Sequence, residues 1–233
     1  MSTAKQFNNI CKNRVYTNSG NLPLIELITK PVRRVLDVGC GAGANASLIR
    51  RRYPDAKIDG ITISSTEKVV AEPLFDELFL FDIESSALEL FENSKYDVII
   101  FSHVLEHLQN PAQVLAKFTE LLELGGQVLI AVPNVLGWRQ RIKFLFGKFK
   151  YETAGVLDNT HLRFFTYFTT DQYLLADCHG VKVIAKSATG SVPLWWLRRH
   201  IFPISWSAGI DKYGCRKLPN FFGDQVLVKA VKL

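Results

Sequence analysis

The run Val35-Leu36-Asp37-Val38-Gly39-Cys40-Gly41-Ala42-Gly43-Ala44-Asn45-Ala46 decides the fold. Residues 33–38 read as a short, β-branched strand. Three glycines at alternate positions follow, and 44–52 then reads as a helix that stops before Tyr53-Pro54. A strand, a glycine turn and a helix in that order present backbone N–H groups at a helix N-terminus, with no side chains to hold a ligand away. Gly39-x-Gly41-x-x-Ala44 also satisfies the dinucleotide fingerprint, so the glycines alone leave the ligand open.

Working outward, apolar runs alternate with helical patterns. Strands are expected at 57–63, 77–81 and 96–101, the last being the nearly all-apolar YDVIIF. A helix is expected at 111–124, with Pro111 at its start and Gly125-Gly126 past its end, then a strand at 127–132 closed by Pro133. Residues 134–180 are irregular and aromatic, and 181–187 and 225–231 read as two closing strands. Such alternation predicts an α/β fold: a Rossmann-like, seven-stranded, mostly parallel sheet with helices on both faces and an inserted aromatic and basic cap. Ligands of open α/β sheets bind at the C-terminal ends of the strands, where the motifs cluster.

The 233 residues suit a single domain, with a core at 33–135 and cap segments at 136–180 and 188–222. Hydrophobic content of 48% and charged content of 21% exclude a disordered chain. The N-terminal residues carry no apolar run behind their lysines, and no stretch approaches the ~18 apolar residues of a spanning helix. Cys11, Cys40, Cys178 and Cys215 show no CxxC pair, so a reduced, cytoplasmic setting is expected. The net charge of +6 is unevenly spread: residues 1–137 carry 13 Lys and Arg against 16 Asp and Glu, whereas 138–233 carry 15 against 6. A basic second half points to an anionic partner, or else to lysines merely clustered on one face.

Asp37 narrows the ligand. A carboxylate two residues before the first glycine repels a pyrophosphate but suits an ammonium beside a sulfonium, as in S-adenosylmethionine. The string resembles the first motif of class I S-adenosylmethionine-dependent methyltransferases, and the similarity runs from about residue 33 to 135. The resemblance implies that Asp37, Gly39, Gly41 and Gly43 hold the methionine end of the cofactor. The usual acidic ribose ligand after the second strand is replaced by Thr62 in DGITISSTEK. That departure resembles the branch with cyclopropane synthases, where a polar side chain five residues later grips the ribose; here it is Glu67, whose carboxylate can accept from both hydroxyls. Asp82, with Ile83, matches the adenine-side residues after the third strand, and Ser102 borders the methyl group.

Ser102 to His107 (SHVLEH) contains H-x-x-E-H, an inverted zinc-protease motif when read alone. That reading needs a downstream glutamate on another helix, and Glu152 is the last glutamate in the chain. The segment follows an apolar strand and resembles the fourth motif of methyltransferases acting on quinones and glycans, with Glu106 and His107 starting the next helix; no metal is expected. Asp158 to Thr166 (DNTHLRFFT) resembles a segment found in methyltransferases of surface-polysaccharide clusters and of quinone modification. Neutral histidine is the natural base for a hydroxyl proton. His161, near Asp158, is therefore the leading catalytic candidate and His107 the second, although positioning alone supplies much of the rate of methyl transfer.

Residues 137–150 (GWRQRIKFLFGKFK) and 191–206 (SVPLWWLRRHIFPISW) interleave aromatics with cations, as in a folded cap over the pocket or an interfacial segment. The expectation is an enzyme methylating a hydroxyl of a glycan or lipid-linked acceptor, its pocket completed by the segment around Tyr16. Peripheral contact with an anionic membrane is allowed and no nucleic acid is expected. Rival readings are a quinone-type or other small-molecule O-methyltransferase and a non-catalytic S-adenosylmethionine-binding module. An NAD(P) oxidoreductase is disfavoured by Asp37.

Overall fold

The computed structural model describes residues 18–84, 91 and 94–233. Tyr16, expected in the acceptor pocket, and Cys11 lie outside them. In chain order the elements are α1 (Leu22–Ile25), β1 (Arg34–Val38), α2 (Ala44–Arg52), β2 (Lys57–Thr62), α3 (Ser65–Ala71), β3 (Glu77–Leu80), β4 (Tyr96–Ser102), α4 (Pro111–Thr119) and β5 (Leu122–Pro133). There follow α5 (Trp138–Leu145), α6 (Thr170–Leu174), β6 (Val181–Gly190), α7 (Trp195–Ile201), α8 (Ile204–Lys217), α9 (Pro219–Phe222) and β7 (Gly223–Lys232). The seven strands form one sheet in the order β3-β2-β1-β4-β5-β7-β6. The first five pair in parallel, while β7 runs antiparallel to both β5 and β6.

Strand direction explains the two-sided core. Leu36 and Val38 of β1 join Ile99 and Phe101 of β4 on one face, where Val114, Leu115 and Phe118 of α4 cover them. Val35, Val98 and Ile100 point to the other face, against Leu24, Ala46 and Ile49 of α1 and α2. Alternate side chains of one strand must face opposite sides. A parallel sheet buried on both sides therefore requires the near-continuous apolar runs seen in the sequence.

The helix expected at 111–124 ends at Thr119 instead. Leu122 is already paired with Tyr96, so the strand gains Leu122–Gly126 at the helix's expense, with a register shift between Tyr96 and Val98. Sheet pairing outweighs the helical pattern there. The two closing strands are likewise longer than expected, running 181–190 and 223–232.

A buried polar triad ties β1, β2 and β4 together at the edge remote from the glycine turn. Asp59 accepts from Arg34 Nη2 at 2.8 Å and from the Tyr96 hydroxyl at 2.9 Å. Burial, then the Asp59 charge, pushes the Tyr96 hydroxyl upward, so it stays a donor. Tyr96→Phe is expected to lower stability in urea unfolding by about 0.5–1.5 kcal/mol, the usual worth of one such hydrogen bond. Arg34→Ala should cost more, because it strips Asp59 of its countercharge. Equal, negligible losses in both variants would contradict this role for the triad.

Candidate active site

At the C-terminal ends of β1, β2 and β4 lies a cavity of about 830 Å³. Its position is the switch point of the sheet, where strand order reverses between β1 and β4. Gly39, Gly41, Thr62, Glu67, Asp82, Ile83, Ser102, His107 and His161 all line it. Nine residues expected at a site from five separate segments are thus brought to one wall.

Two expected wall residues stand elsewhere. Asp37 is wholly buried, and neither carboxylate oxygen has a hydrogen bond among the described residues. It lies behind the lining, beside Asn45, whose side chain does reach the cavity. Gly43 adopts φ +81° and faces inward: a Cβ there would sit 2.7 Å from Leu74 Cδ1. Its role in the structure is to let the N-terminus of α2 pack closely on the turn at 72–74. Gly39 serves two needs at once, since it lines the cavity and a Cβ on it would sit 2.5 Å from Val104 Cγ2.

On the β2 side, the Thr62 hydroxyl donates to Glu67 Oε2 at 2.8 Å, and the Glu67 backbone N–H is capped by Ser64. Both side chains are nearly buried, so the carboxylate is fixed on the wall by its own helix cap and by the residue that replaced the usual acid. Asp82 accepts from the Glu84 backbone N–H at 3.0 Å, which orients it at the end of β3. Burial, with Asp37 and Glu67 nearby, pushes the Cys40 thiol far up, so it is no nucleophile.

Glu106 and His107 do not start the next helix as expected. His103 has φ +58° and Leu105–His107 form a single 3₁₀ turn, with the next helix starting at Pro111. A positive φ at a non-glycine residue costs of order 1–3 kcal/mol and marks a position held by its surroundings. The holding contacts are identifiable: the His103 backbone N–H donates to Ala131 O, and its Nε2 donates to Gln225 Oε1 at 2.8 Å. His103 Nδ1 lies 3.3 Å from Glu106 Oε1. Burial pulls the His103 pKa down, but Glu106 and Gln225 outweigh it and leave it raised.

His161 arrives from the irregular second half. The backbone N–H groups of Leu162 and Arg163 both donate to Glu106 O, and Asn134 bridges Phe165. These contacts bring the His161 ring to 4.8 Å from that of His107, edge to face. The Asp158 carboxylate accepts from the Thr160 backbone N–H and hydroxyl. The buried acid facing His161 Nε2 is Glu106, at 3.9 Å. Burial lowers the His161 pKa despite the Glu106 charge.

Asn21 and Gln225, neither expected from sequence, complete the far side. Asn21 donates through Nδ2 to Gln225 Oε1 and through its backbone N–H to Asn45 Oδ1, and Gln225 donates to Thr189. The available signal was a lone polar residue opening the apolar strand 225–231.

The profile of the family described as "Methyltransferase domain" matches residues 12–176. The chain belongs to that family. Among curated relatives, the ubiquinone biosynthesis O-methyltransferase of Nitrosococcus oceani is 33% identical over 106 residues, covering 44% of this chain and 44% of the relative. The malonyl-[acyl-carrier protein] O-methyltransferase of Acetivibrio thermocellus is 27% identical over 136 residues, covering 57% of this chain and 45% of the relative. The matched region thus spans less than half of either relative's length. Among solved structures, a SAM-dependent methyltransferase from Archaeoglobus fulgidus superposes with TM-score 0.58 at 19% identity, covering 91% of both chains. The plantazolicin methyltransferase BpumL, solved with SAH, gives TM-score 0.57 at 19% identity, covering 90% of this chain and 79% of its own. This methyltransferase-family chain therefore shares the Rossmann-like sheet of those proteins.

The orphaned Asp37 gives a pH-dependent expectation. Burial raises its pKa from 3.8 to about 7, with Asn45 opposing. A folded-state pKa above the unfolded one favours folding at low pH, and the advantage is lost as pH rises from the lower value to the upper. Asp37→Asn removes the ionisation, so the unliganded variant should melt like wild type near pH 4 and several degrees higher at about pH 8. In a domain of this size each kcal/mol corresponds to about 2–4 °C. A melting difference that stays constant across this range would contradict the buried, uncompensated charge.

Proposed function

We propose that this methyltransferase-family chain moves the methyl group of S-adenosylmethionine to a hydroxyl of a glycan or lipid-linked acceptor presented at an anionic membrane surface. The observation that carries the cofactor part is the Thr62–Glu67 pair lining the same cavity as the glycine turn. A carboxylate has about four lone-pair sites, so one that accepts from Thr62 on the cavity wall can also accept from ribose hydroxyls. Further support comes from the buried Asp37 carboxylate behind the turn, beside the cavity-lining Asn45, and from Asp82 and Ile83 on the same cavity, the residues that would face the adenine. Bound there, the sulfonium supplies an activated methyl group. The chain's own residues orient the two reactants and exclude water, and His107 and His161, which line the same cavity, are the candidate bases for the acceptor hydroxyl's proton.

The acceptor reading draws on the second half. The cations of α5 are tied into the fold: Arg139 holds both oxygens of Asp224, Arg141 donates to Leu136 O and Lys143 pairs with Glu152. The exposed patch lies instead on α7 and α8, where Trp196 is 57% exposed, Ile201 62%, Ile204 70% and Trp206 66%. Lys212, Arg216 and Lys217 stand exposed on the same helix as Trp206. Aromatics and branched aliphatics with basic neighbours form the pattern of a helix lying in a lipid interface. No helix among the described residues is long and apolar enough to cross a membrane. The names of several curated relatives favour a second reading, methylation of a quinone precursor, which would also be membrane-borne.

Two measurements test this reading. Glu67→Ala should weaken S-adenosylhomocysteine binding in calorimetry by about 1–3 kcal/mol, the cost of a charge-assisted hydrogen bond, and an unchanged dissociation constant would put the ribose elsewhere. Sedimentation with anionic vesicles should retain the wild type at low salt and release a Trp196→Ser, Trp206→Ser variant of unchanged cofactor affinity. Methyl transfer to a polyprenyl diphosphate-linked sugar supports the main acceptor reading, whereas product only from hydroxylated quinones selects the second.

A further inference from the structure

The methyltransferase reading uses His107 and His161 as candidate bases but gives no part to the buried Glu106 that stands beside both. Glu106, His107 and His161 each offer a ligand atom within 4.8 Å of the others, on the wall of the same cavity. Each histidine's Nδ1 lies against a backbone carbonyl, His107 on Thr160 O at 3.1 Å and His161 on Val156 O at 3.0 Å. A carbonyl only accepts, so both Nδ1 atoms carry the proton and both Nε2 atoms present lone pairs. The Glu106 side chain is 1% exposed, and neither of its oxygens accepts a hydrogen bond among the described residues. Two imidazole lone pairs and a carboxylate thus converge, with His103 Nδ1 3.3 Å from Glu106 Oε1 as a neighbour that is not one of the three.

A cation in the midst of two imidazole lone pairs and a carboxylate is electrostatically favoured. The cluster also has the outer contacts of a metal centre, in which a ligating imidazole donates its second N–H to a carbonyl. We propose that Glu106, His107 and His161 bind one divalent transition-metal ion whose remaining coordination positions open to the acceptor side of the cavity. Two imidazoles and one carboxylate suit zinc, iron or manganese rather than calcium. Ligands about 2 Å from a common ion stand roughly 3.4 Å apart in a tetrahedron, so the three side chains draw inward by about an ångström on loading.

The site differs from the one the H-x-x-E-H spacing implies. His103, the first histidine of the motif, is turned away onto Gln225 and flanks Glu106. His161 supplies the third ligand that no downstream glutamate could. In use, the ion would hold the acceptor oxygen, whose proton passes to solvent water. That oxygen then bonds to the methyl carbon as the carbon–sulfur bond breaks and the sulfonium becomes a neutral thioether. This use rests on the proposed methyl transfer; the existence of the ion site does not.

Full-length protein stripped with a chelator and titrated with Zn²⁺, Mn²⁺ and Co²⁺ tests the site directly. Calorimetry and elemental analysis should find one ion per chain, and Co²⁺ should develop the visible d–d absorption of imidazole coordination. Glu106→Gln, His107→Gln and His161→Gln should each weaken ion binding at least tenfold. S-adenosylhomocysteine affinity serves as the control for folding and should persist in all three. Ion binding that fails in the wild type, or that is unchanged in folded His107→Gln and His161→Gln, overturns the proposal and leaves a shared proton as the cluster's cation. Loss of S-adenosylhomocysteine binding by the wild type would instead strike the cofactor reading and leave the ion titration standing.

Discussion

The site depends on an absence of atoms at Gly39. With no Cβ there, Val104 packs directly on the glycine turn, 2.5 Å from where that carbon would be. This contact draws the segment after β4 against the segment after β1, which is what makes the switch point a closed pocket. His103 pays with an unfavourable φ, and Ala131 and Gln225 hold it there. Once the 103–107 turn is seated, Glu106 offers its backbone carbonyl to Leu162 and Arg163, and the irregular second half is docked through it. A larger residue at position 39 would thus disturb the cofactor side and the histidine pair together.

Electrostatics in the pocket follows the same architecture. Two carboxylates, Asp37 and Glu106, are buried near the strand ends, Asp37 beside the Asn45 side chain and Glu106 with His103 Nδ1 3.3 Å from its Oε1. They differ in kind. Asp37 is driven toward its neutral form by burial, whereas Glu106 is pushed up by burial but pulled below its ordinary range by His103, His107 and His161. Burying two carboxylates in this way carries a stability cost.

How much of this was legible in the chain depends on the separation of the residues involved. The β1–turn–α2 unit could be read because glycine conformations and a helix start are local properties. Thr62 and Glu67 could be read as a pair because five residues and a Ser64 cap connect them. α4 ends at Thr119, short of the 124 that periodicity predicts, since the pairing of Leu122 with Tyr96 is a long-range contact that local periodicity does not register. Glu106 and His107 read as the start of the next helix, whereas they close a 3₁₀ turn that the sheet contacts of His103 set up. The convergence of His161 with Glu106 and His107, and the Asn21–Gln225 pair across 204 residues, are products of the tertiary fold. The exposed tryptophans of α7 and α8 were visible as a pattern, but not their face: α8 buries only Ser207, Gly214 and Cys215.

The central claim is that this pocket is built for a sulfonium amino acid and not for a dinucleotide. Calorimetry of the purified chain with S-adenosylmethionine, S-adenosylhomocysteine and NAD, side by side, tests it most directly. The account predicts saturable binding of both S-adenosyl ligands at micromolar concentration and no measurable heat from NAD. Tight NAD binding with no response to either S-adenosyl ligand would contradict it.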